Sequence, residues 1–170
     1  MRIRPATEND LDRISDMDKA AYGEYGSSRE YFAKKLAKFP EGTLVAEDKG
    51  KVAGVVVFDV IEKGSTPEDF GSIELSEPIS GRWMYIVVFT TATNYANKKS
   101  DSQFLLAAEK VAKRFGCVEI CVPLTKNHPF KGNGVFEFWE SNGYRRVGEV
   151  KWEPNANESF ECYFYKKKLA

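Results

Sequence analysis

At 170 residues the chain is expected to form a single domain, residues 1–170, long enough to bury a substantial core. Its 25 basic and 25 acidic side chains cancel, which leaves no global field to recruit nucleic acid or an anionic membrane, so neither is expected as a partner. Three cysteines without CxxC or metal-ligand spacing and one histidine argue against a metal site, no apolar run approaches the ~20 residues of a membrane span, and Met1-Arg2-Ile3-Arg4-Pro5 lacks the character of a leader; a cytoplasmic protein is expected.

Arg2-Ile3-Arg4 reads as a short strand. Thr7 is placed to cap a helix whose apolar stripe is Leu11, Ile14, Met17 and Ala21. Tyr22-Gly23-Glu24-Tyr25-Gly26 breaks that helix. Ser27 and Glu30 then form a capping box for a second one, lined by Phe32, Leu36 and Phe39 and ended by Pro40. The Tyr22–Tyr31 segment reads either as ordinary loop and helix packing or as a wall of a substrate cleft. Thr43–Glu47 and Val52–Val60 are strands around the hairpin turn Asp48-Lys49-Gly50-Lys51. Glu62–Gly81 is a long polar connection, with a short irregular strand at Ile73–Leu75. Its acids, Glu62, Glu68, Asp69, Glu74 and Glu77, would attract a cationic amine or simply be solvated.

The centre of the chain is strand, loop, helix, strand. Arg82–Thr91 has the aromatic and β-branched composition of a buried strand. Ser100 and Gln103 are spaced as a reciprocal capping box. Phe104, Leu105, Ala108, Val111, Ala112 and Phe115 recur at helical spacing up to Gly116. Cys117–Val122 is the next strand, stopped by Pro123. A helix that follows a strand in this way presents unpaired N–H groups and a positive dipole end, a place that suits anions, phosphates especially. Asn133 is expected to cap a short helix, Val135–Ser141, that ends at Gly143. Tyr144–Val150 and Phe160–Lys166 close the chain as a hairpin, a surface that could pair with a second copy in a homodimer.

The element order is therefore β-α-α-β-β-β-α-β-α-β-β. Phe138-Trp139-Glu140-Ser141-Asn142-Gly143-Tyr144-Arg145-Arg146-Val147-Gly148 resembles the aromatic-Tyr-Glu-x-x-Gly-Phe-x-x-x-Gly segment of GNAT-type N-acetyltransferases. The opening Ile3–Leu11, the hairpin strand Val52-Ala53-Gly54 and the terminal Tyr163-Phe164-Tyr165-Lys166-Lys167 are similar to the same family. The resemblance implies an α/β (α+β) fold: a mixed, mostly antiparallel twisted sheet of about six or seven strands with about four helices on both faces.

It also implies acetyl-CoA as co-substrate, without a metal, and a primary amine of a small molecule or protein as acceptor. In that family the strand-to-helix loop carries Gln/Arg-x-x-Gly-x-Gly/Ala, whose amides wrap the pyrophosphate. The matching positions are Asn97-Lys98-Lys99-Ser100-Asp101-Ser102, without either glycine. Lys98, Lys99, Ser100, Asp101, Ser102 and Gln103 are thus the expected phosphate-side residues, with Asp101 carrying the opposing charge. On this reading, Asp101→Gly should tighten CoA binding. Phe89, Thr90 and Thr91 would pair through their backbone with the pantetheine arm. Trp139 holds the position of the family's proton-donating tyrosine, and Asn127 or Asn133 that of its asparagine.

An amine must be neutral to attack a thioester, so a nearby carboxylate or water chain is expected to help. Glu119 and Tyr85 are the catalytic candidates; a solvent or ion-pair role for Glu119, and a core role for Tyr85, are the plainer alternatives. Cys121 has no neighbour that would activate a thiol. The reading from another class is a GNAT-fold module without catalysis that binds CoA, another small ligand or a protein. The missing glycines, Asp101 and Trp139 point that way.

Overall fold

The structure, a computed structural model, describes residues 1–170. Eight strands, β1 (Arg2–Pro5), β2 (Thr43–Asp48), β3 (Lys51–Ile61), β4 (Phe70–Leu75), β5 (Trp83–Thr91), β6 (Glu119–Thr125), β7 (Arg145–Asn155) and β8 (Glu158–Lys168), form one sheet. Four helices, α1 (Leu11–Tyr22), α2 (Arg29–Lys38), α3 (Lys98–Arg114) and α4 (Val135–Ser141), accompany them. The strand order is β1-β2-β3-β5-β6-β8-β7-β4. The β5–β6 pair is parallel; β1–β2, β2–β3, β4–β7, β6–β8 and β7–β8 are antiparallel. The expected mixed sheet is present, with one strand more than expected. No helix is long and apolar enough to cross a membrane.

The chain divides into two compact units. The first comprises Met1–Asp59 and Val87–Ala108. Its core gathers Leu11, Ile14 and Met17 of α1, Phe32 of α2 and Val45, Val52, Val55 and Val57 of the hairpin. The α1 stripe is thus buried as its spacing requires. Thr7 caps a short 3-10 turn, Glu8–Asp10, that leads into α1, and its N–H donates to Asp10 Oδ2 at 2.8 Å. Ser28, not Ser27, caps α2, accepting from the Tyr31 N–H at 3.1 Å. Ser27 is occupied elsewhere, its N–H donating to Asp18 Oδ2 at 2.6 Å. Lys49 and Gly50 both take positive φ, 52° and 78°, the requirement of a type I′ hairpin turn.

The second unit comprises Val60–Ile86 and Glu109–Ala170. Strand β6 does not stop at Pro123 but runs to Thr125, paired with β8 throughout. The parallel ladder to β5 covers only Trp83↔Glu119, Met84↔Ile120 and Tyr85↔Cys121. Beyond Cys121 no ladder donor is required on that side of β6, which is where a proline is tolerated. The long connection supplies β4, which pairs with β7. Since β8 lies between β6 and β7, and β7 between β8 and β4, the closing hairpin has no open edge to offer a second copy. Gly148 of β7 allows this pairing: a Cβ there would meet the backbone of Glu74 and Leu75.

Candidate functional site

In the first unit, β5 delivers Phe89, Thr90 and Thr91 to the start of α3, and all three side chains are buried. Phe89 lies against the rings of Phe104 at 5.6 Å and Tyr95 at 6.3 Å. Thr90 donates to Asp18 Oδ1 at 2.6 Å. Burial pushes the Asp18 carboxyl up, against the hydrogen bonds from Ser27 and Thr90. The Thr91 and Thr93 hydroxyls stand 3.2 Å apart. These side chains are engaged inward, so what the strand end can give a ligand is backbone.

Helix α3 begins at Lys98, earlier than its sequence suggests. Asn97 is the capping residue: its Oδ1 accepts from the Ser100 N–H at 3.3 Å and its carbonyl from the Asp101 N–H at 3.1 Å. Ser100 is therefore inside the first turn, its hydroxyl donating to the Asn97 carbonyl at 3.3 Å, and the Ser100–Gln103 box has no place to form. Left-handed backbone falls on Asn94 and Tyr95, φ 48° and 70°, upstream of the positions where the family carries glycine. Lys98 donates to the Tyr95 carbonyl at 3.3 Å, and both Lys98 and Lys99 are exposed.

Asp101 is the main correction in this loop. Its carboxylate does not confront an incoming anion, because it is turned inward and only 3% exposed. It shares the inner face of α3 with Phe104, Leu105 and Ala108, at the spacing of one helical stripe. Thr93 donates to its two oxygens at 3.3 and 3.2 Å, with further bonds from Thr91 and the Tyr95 backbone. Burial raises its pKa. Asp101 fastens the loop to the strand end. A cavity of about 190 Å³ adjoins it, walled by Ala46, Asp48, Thr91, Asn97, Ser100 and Asp101 among others.

In the second unit, the two catalytic candidates separate. Glu119 is buried with both oxygens engaged, Oε1 by Lys166 Nζ at 2.8 Å and Oε2 by the Ser80 N–H at 2.9 Å. A carboxylate so held by a buried cation is half of a structural ion pair. The expectation of a general base there does not hold. Tyr85 is 2% exposed and donates its hydroxyl to Asp69 Oδ2 at 2.8 Å. Trp152 Nε1 donates to the same oxygen at 2.9 Å, and Phe70 packs edge-on to Tyr85 at 5.1 Å. Sequence reading passed over Asp69 as one acid among several in a polar connection.

Trp139 is fully enclosed, edge-on to Tyr144 at 4.9 Å and to Phe138 at 5.7 Å; it is a core side chain, not a cofactor contact. Asn133 is exposed in the 3-10 turn Lys131–Asn133, and Gly134, at φ 77°, caps α4 in its place. Asn127 accepts from Lys131 Nζ at 3.0 Å. His128 is buried, its Nδ1 accepting from the Phe130 N–H at 3.1 Å, and desolvation lowers its pKa to about 4. Burial pushes the Cys121 thiol up, with the Glu119 charge adding to it, which removes it as a nucleophile.

A mixed sheet whose parallel β5–β6 ladder ends after three pairs, with a helix opening directly after β5, is the arrangement of the GNAT fold. The chain belongs to the GNAT acetyltransferase family: the model described as "Acetyltransferase (GNAT) family" matches residues 11–130. Solved structures of similar fold include the NatB acetyltransferase complex bound to CoA and MES, at TM-score 0.73 and 13% identity over 100% of both chains. The GphF GNAT-like decarboxylase in complex with isobutyryl-CoA superposes at TM-score 0.75 and 16% identity, again over 100% of both chains. A GNAT-family acetyltransferase from Streptococcus agalactiae gives TM-score 0.72 and 14% identity over 99% of this chain and 95% of that one. No curated protein matches the sequence.

Proposed function

We propose that this protein transfers the acetyl group of acetyl-CoA to a primary amine of a small molecule or protein. The observation that carries the proposal is the short β5–β6 ladder, three pairs in a nine-residue strand. Past Tyr85, strand β5 continues through Phe89, Thr90 and Thr91, whose backbone can pair with the amides of a pantetheine arm as a further strand would. The first turn of α3 then offers N–H groups and a positive dipole end to the pyrophosphate. Exposed Lys98 and Lys99 add charge of the right sign. CoA in the NatB structure and isobutyryl-CoA in GphF support an acyl-CoA ligand for this fold.

The reaction asks little of side chains. The amine nitrogen attacks the thioester carbonyl, the C–N bond forms and the C–S bond breaks; holding the two partners together supplies much of the acceleration. Calorimetric titration with acetyl-CoA, with desulfo-CoA as control, tests the binding half, and release of free thiol on adding a panel of primary amines tests the transfer. Micromolar binding with amine-dependent thiol release is expected. Failure to bind at millimolar acetyl-CoA overturns the proposal, and binding without transfer to any amine points to the non-catalytic binding module.

A further inference from the structure

We infer that Asp18 is a positioning residue for the acyl-CoA strand: one of its oxygens holds Thr90 of β5 and the other holds Ser27 before α2, which sets the strand end that receives the pantetheine arm. The inference rests on the acyl-CoA binding proposed above, and every residue in it belongs to the first unit.

Asp18 falls on the buried stripe of α1 that Leu11 and Ile14 begin, where an apolar side chain would be the simplest filling. It is a carboxylate there nonetheless, 3% exposed. Other acids of this unit face cations: Asp10 pairs with Arg4, Asp12 with Arg29 and Asp59 with Lys35. Asp18 is held by neutral donors instead. The Thr90 hydroxyl donates to Oδ1 and the Ser27 N–H to Oδ2, both at 2.6 Å, and the Ser27 hydroxyl adds a further bond. A charge buried in this way is less stabilising than an apolar residue of similar size. What it supplies is direction, because each oxygen fixes the donor opposite it.

Successive side chains of a strand point to opposite faces, and here both faces of the β5 end are fastened. Asp18 of α1 holds Thr90; Thr93 and Asp101, at the start of α3, hold Thr91. With neighbouring side chains pinned on alternate faces, the peptide groups beside them keep one orientation. The other end of the clasp is rigid too. Ser15 donates to the Ser27 carbonyl at 3.2 Å. A Cβ on Gly26 would lie 2.6 Å from Lys19 Cα and 2.7 Å from the Asp18 carbonyl oxygen, so the connection is pressed onto α1 more closely than a side chain at 26 allows. Without the clasp the strand end samples orientations that do not pair with the arm, and apparent affinity falls with the fraction that remains competent.

The test is acetyl-CoA affinity by calorimetry, with KM, kcat and the thermal midpoint, for Asp18→Ala, Asp18→Asn, Thr90→Val and the Ala/Val double variant, each below its unfolding transition. Thr90→Val keeps the shape of the side chain and removes only the hydroxyl, so it carries the test should Asp18→Ala fail to fold. Thr90→Val and Asp18→Ala are each expected to weaken acetyl-CoA binding about tenfold. The loss should appear in KM for acetyl-CoA, with kcat at saturation kept. Asp18→Asn should recover most of it, since the amide oxygen accepts from the Ser27 N–H and the amide N–H donates to the Thr90 oxygen. The double variant should bind no more weakly than Asp18→Ala, because both changes break the same bond. Wild-type affinity in Thr90→Val, or an Asp18→Asn protein that binds as weakly as Asp18→Ala, would overturn this inference alone. A wild-type protein that does not bind acetyl-CoA would overturn the proposed function and the clasp together.

Discussion

Replacing Lys166 by methionine would strip the cation from Glu119 while keeping most of the apolar stem in place. The two side chains are 6% and 2% exposed and their charged atoms are 2.8 Å apart. The variant therefore leaves a carboxylate in the interior with only the Ser80 N–H as a partner. Breaking a buried pair from one side costs about 3–5 kcal/mol, because the stranded charge is desolvated without compensation. For a chain of this size each kcal/mol shifts the thermal midpoint by about 2–4 °C, so a fall of roughly 6–20 °C is expected. Glu119→Gln should cost less. It leaves no buried anion, and Lys166 keeps the Pro78 carbonyl at 3.2 Å and Glu77 at 3.5 Å. The double variant should be more stable than Lys166→Met alone, since the amide needs no cation.

Thermal and urea unfolding of the four proteins closes a double-mutant cycle. A Lys166→Met variant within 1 kcal/mol of wild type, or a double variant whose loss equals the sum of the singles, would refute the account of Glu119 as half of a buried ion pair. Turnover supplies a second check. Glu119→Gln, assayed below its unfolding transition, should keep wild-type kcat and pH profile, because Glu119 takes no part in proton transfer.

Three further outcomes follow from the geometry. Asp101→Gly should weaken acetyl-CoA binding about tenfold, since it removes the buried carboxylate that holds Thr93 and loosens the loop before α3; tighter binding in calorimetry would show that the carboxylate opposes the phosphate after all. His128 should make the fold acid-sensitive: its pKa is about 4 in the native state against an ordinary 6.5, so the unfolded chain takes the proton first. Its share of stability is present above pH 6.5 and declines as pH falls toward 4, by roughly 3 kcal/mol in all, and His128→Asn should flatten that part of a stability-pH curve. Gly148→Ala should release β4 from β7, because the added methyl meets the Glu74 carbonyl; amide exchange of the β4 backbone should rise, and unchanged protection would refute the close approach.

What was legible in the sequence was what adjacent residues decide. The β2–β3 turn, the α1 stripe and the strand-loop-helix at the centre all follow from local patterns, and β-branched runs located β3 and β5. Strand β4 was half-read because its register slips between Phe70 and Ile73, which breaks the alternation that marks a strand, so Ile73–Leu75 alone stood out. The start of α3 was misplaced because two polar residues compete for one cap, and Asn97 takes it before Ser100 can. Pro123 was read as a stop, which it would be in a strand laddered on both sides. Asp69 could not be found locally: its partners Tyr85 and Trp152 lie 16 and 83 residues away, and pairing over such distances leaves no mark in composition. Among scattered acids, only the fold shows which one points at a phenol.

On the proposed acetyl transfer, the two halves of the chemistry would tolerate change unequally. Binding the acyl carrier would draw on backbone amides at the end of β5 and on the first turn of α3. With the left-handed residues displaced to Asn94 and Tyr95, Ser100 and Ser102 sit within the helix α3, where a side chain is no conformational burden. Proton transfer has no backbone substitute. Trp139 is sealed in the core where the family places a tyrosine, and an indole N–H does not give up a proton near neutral pH.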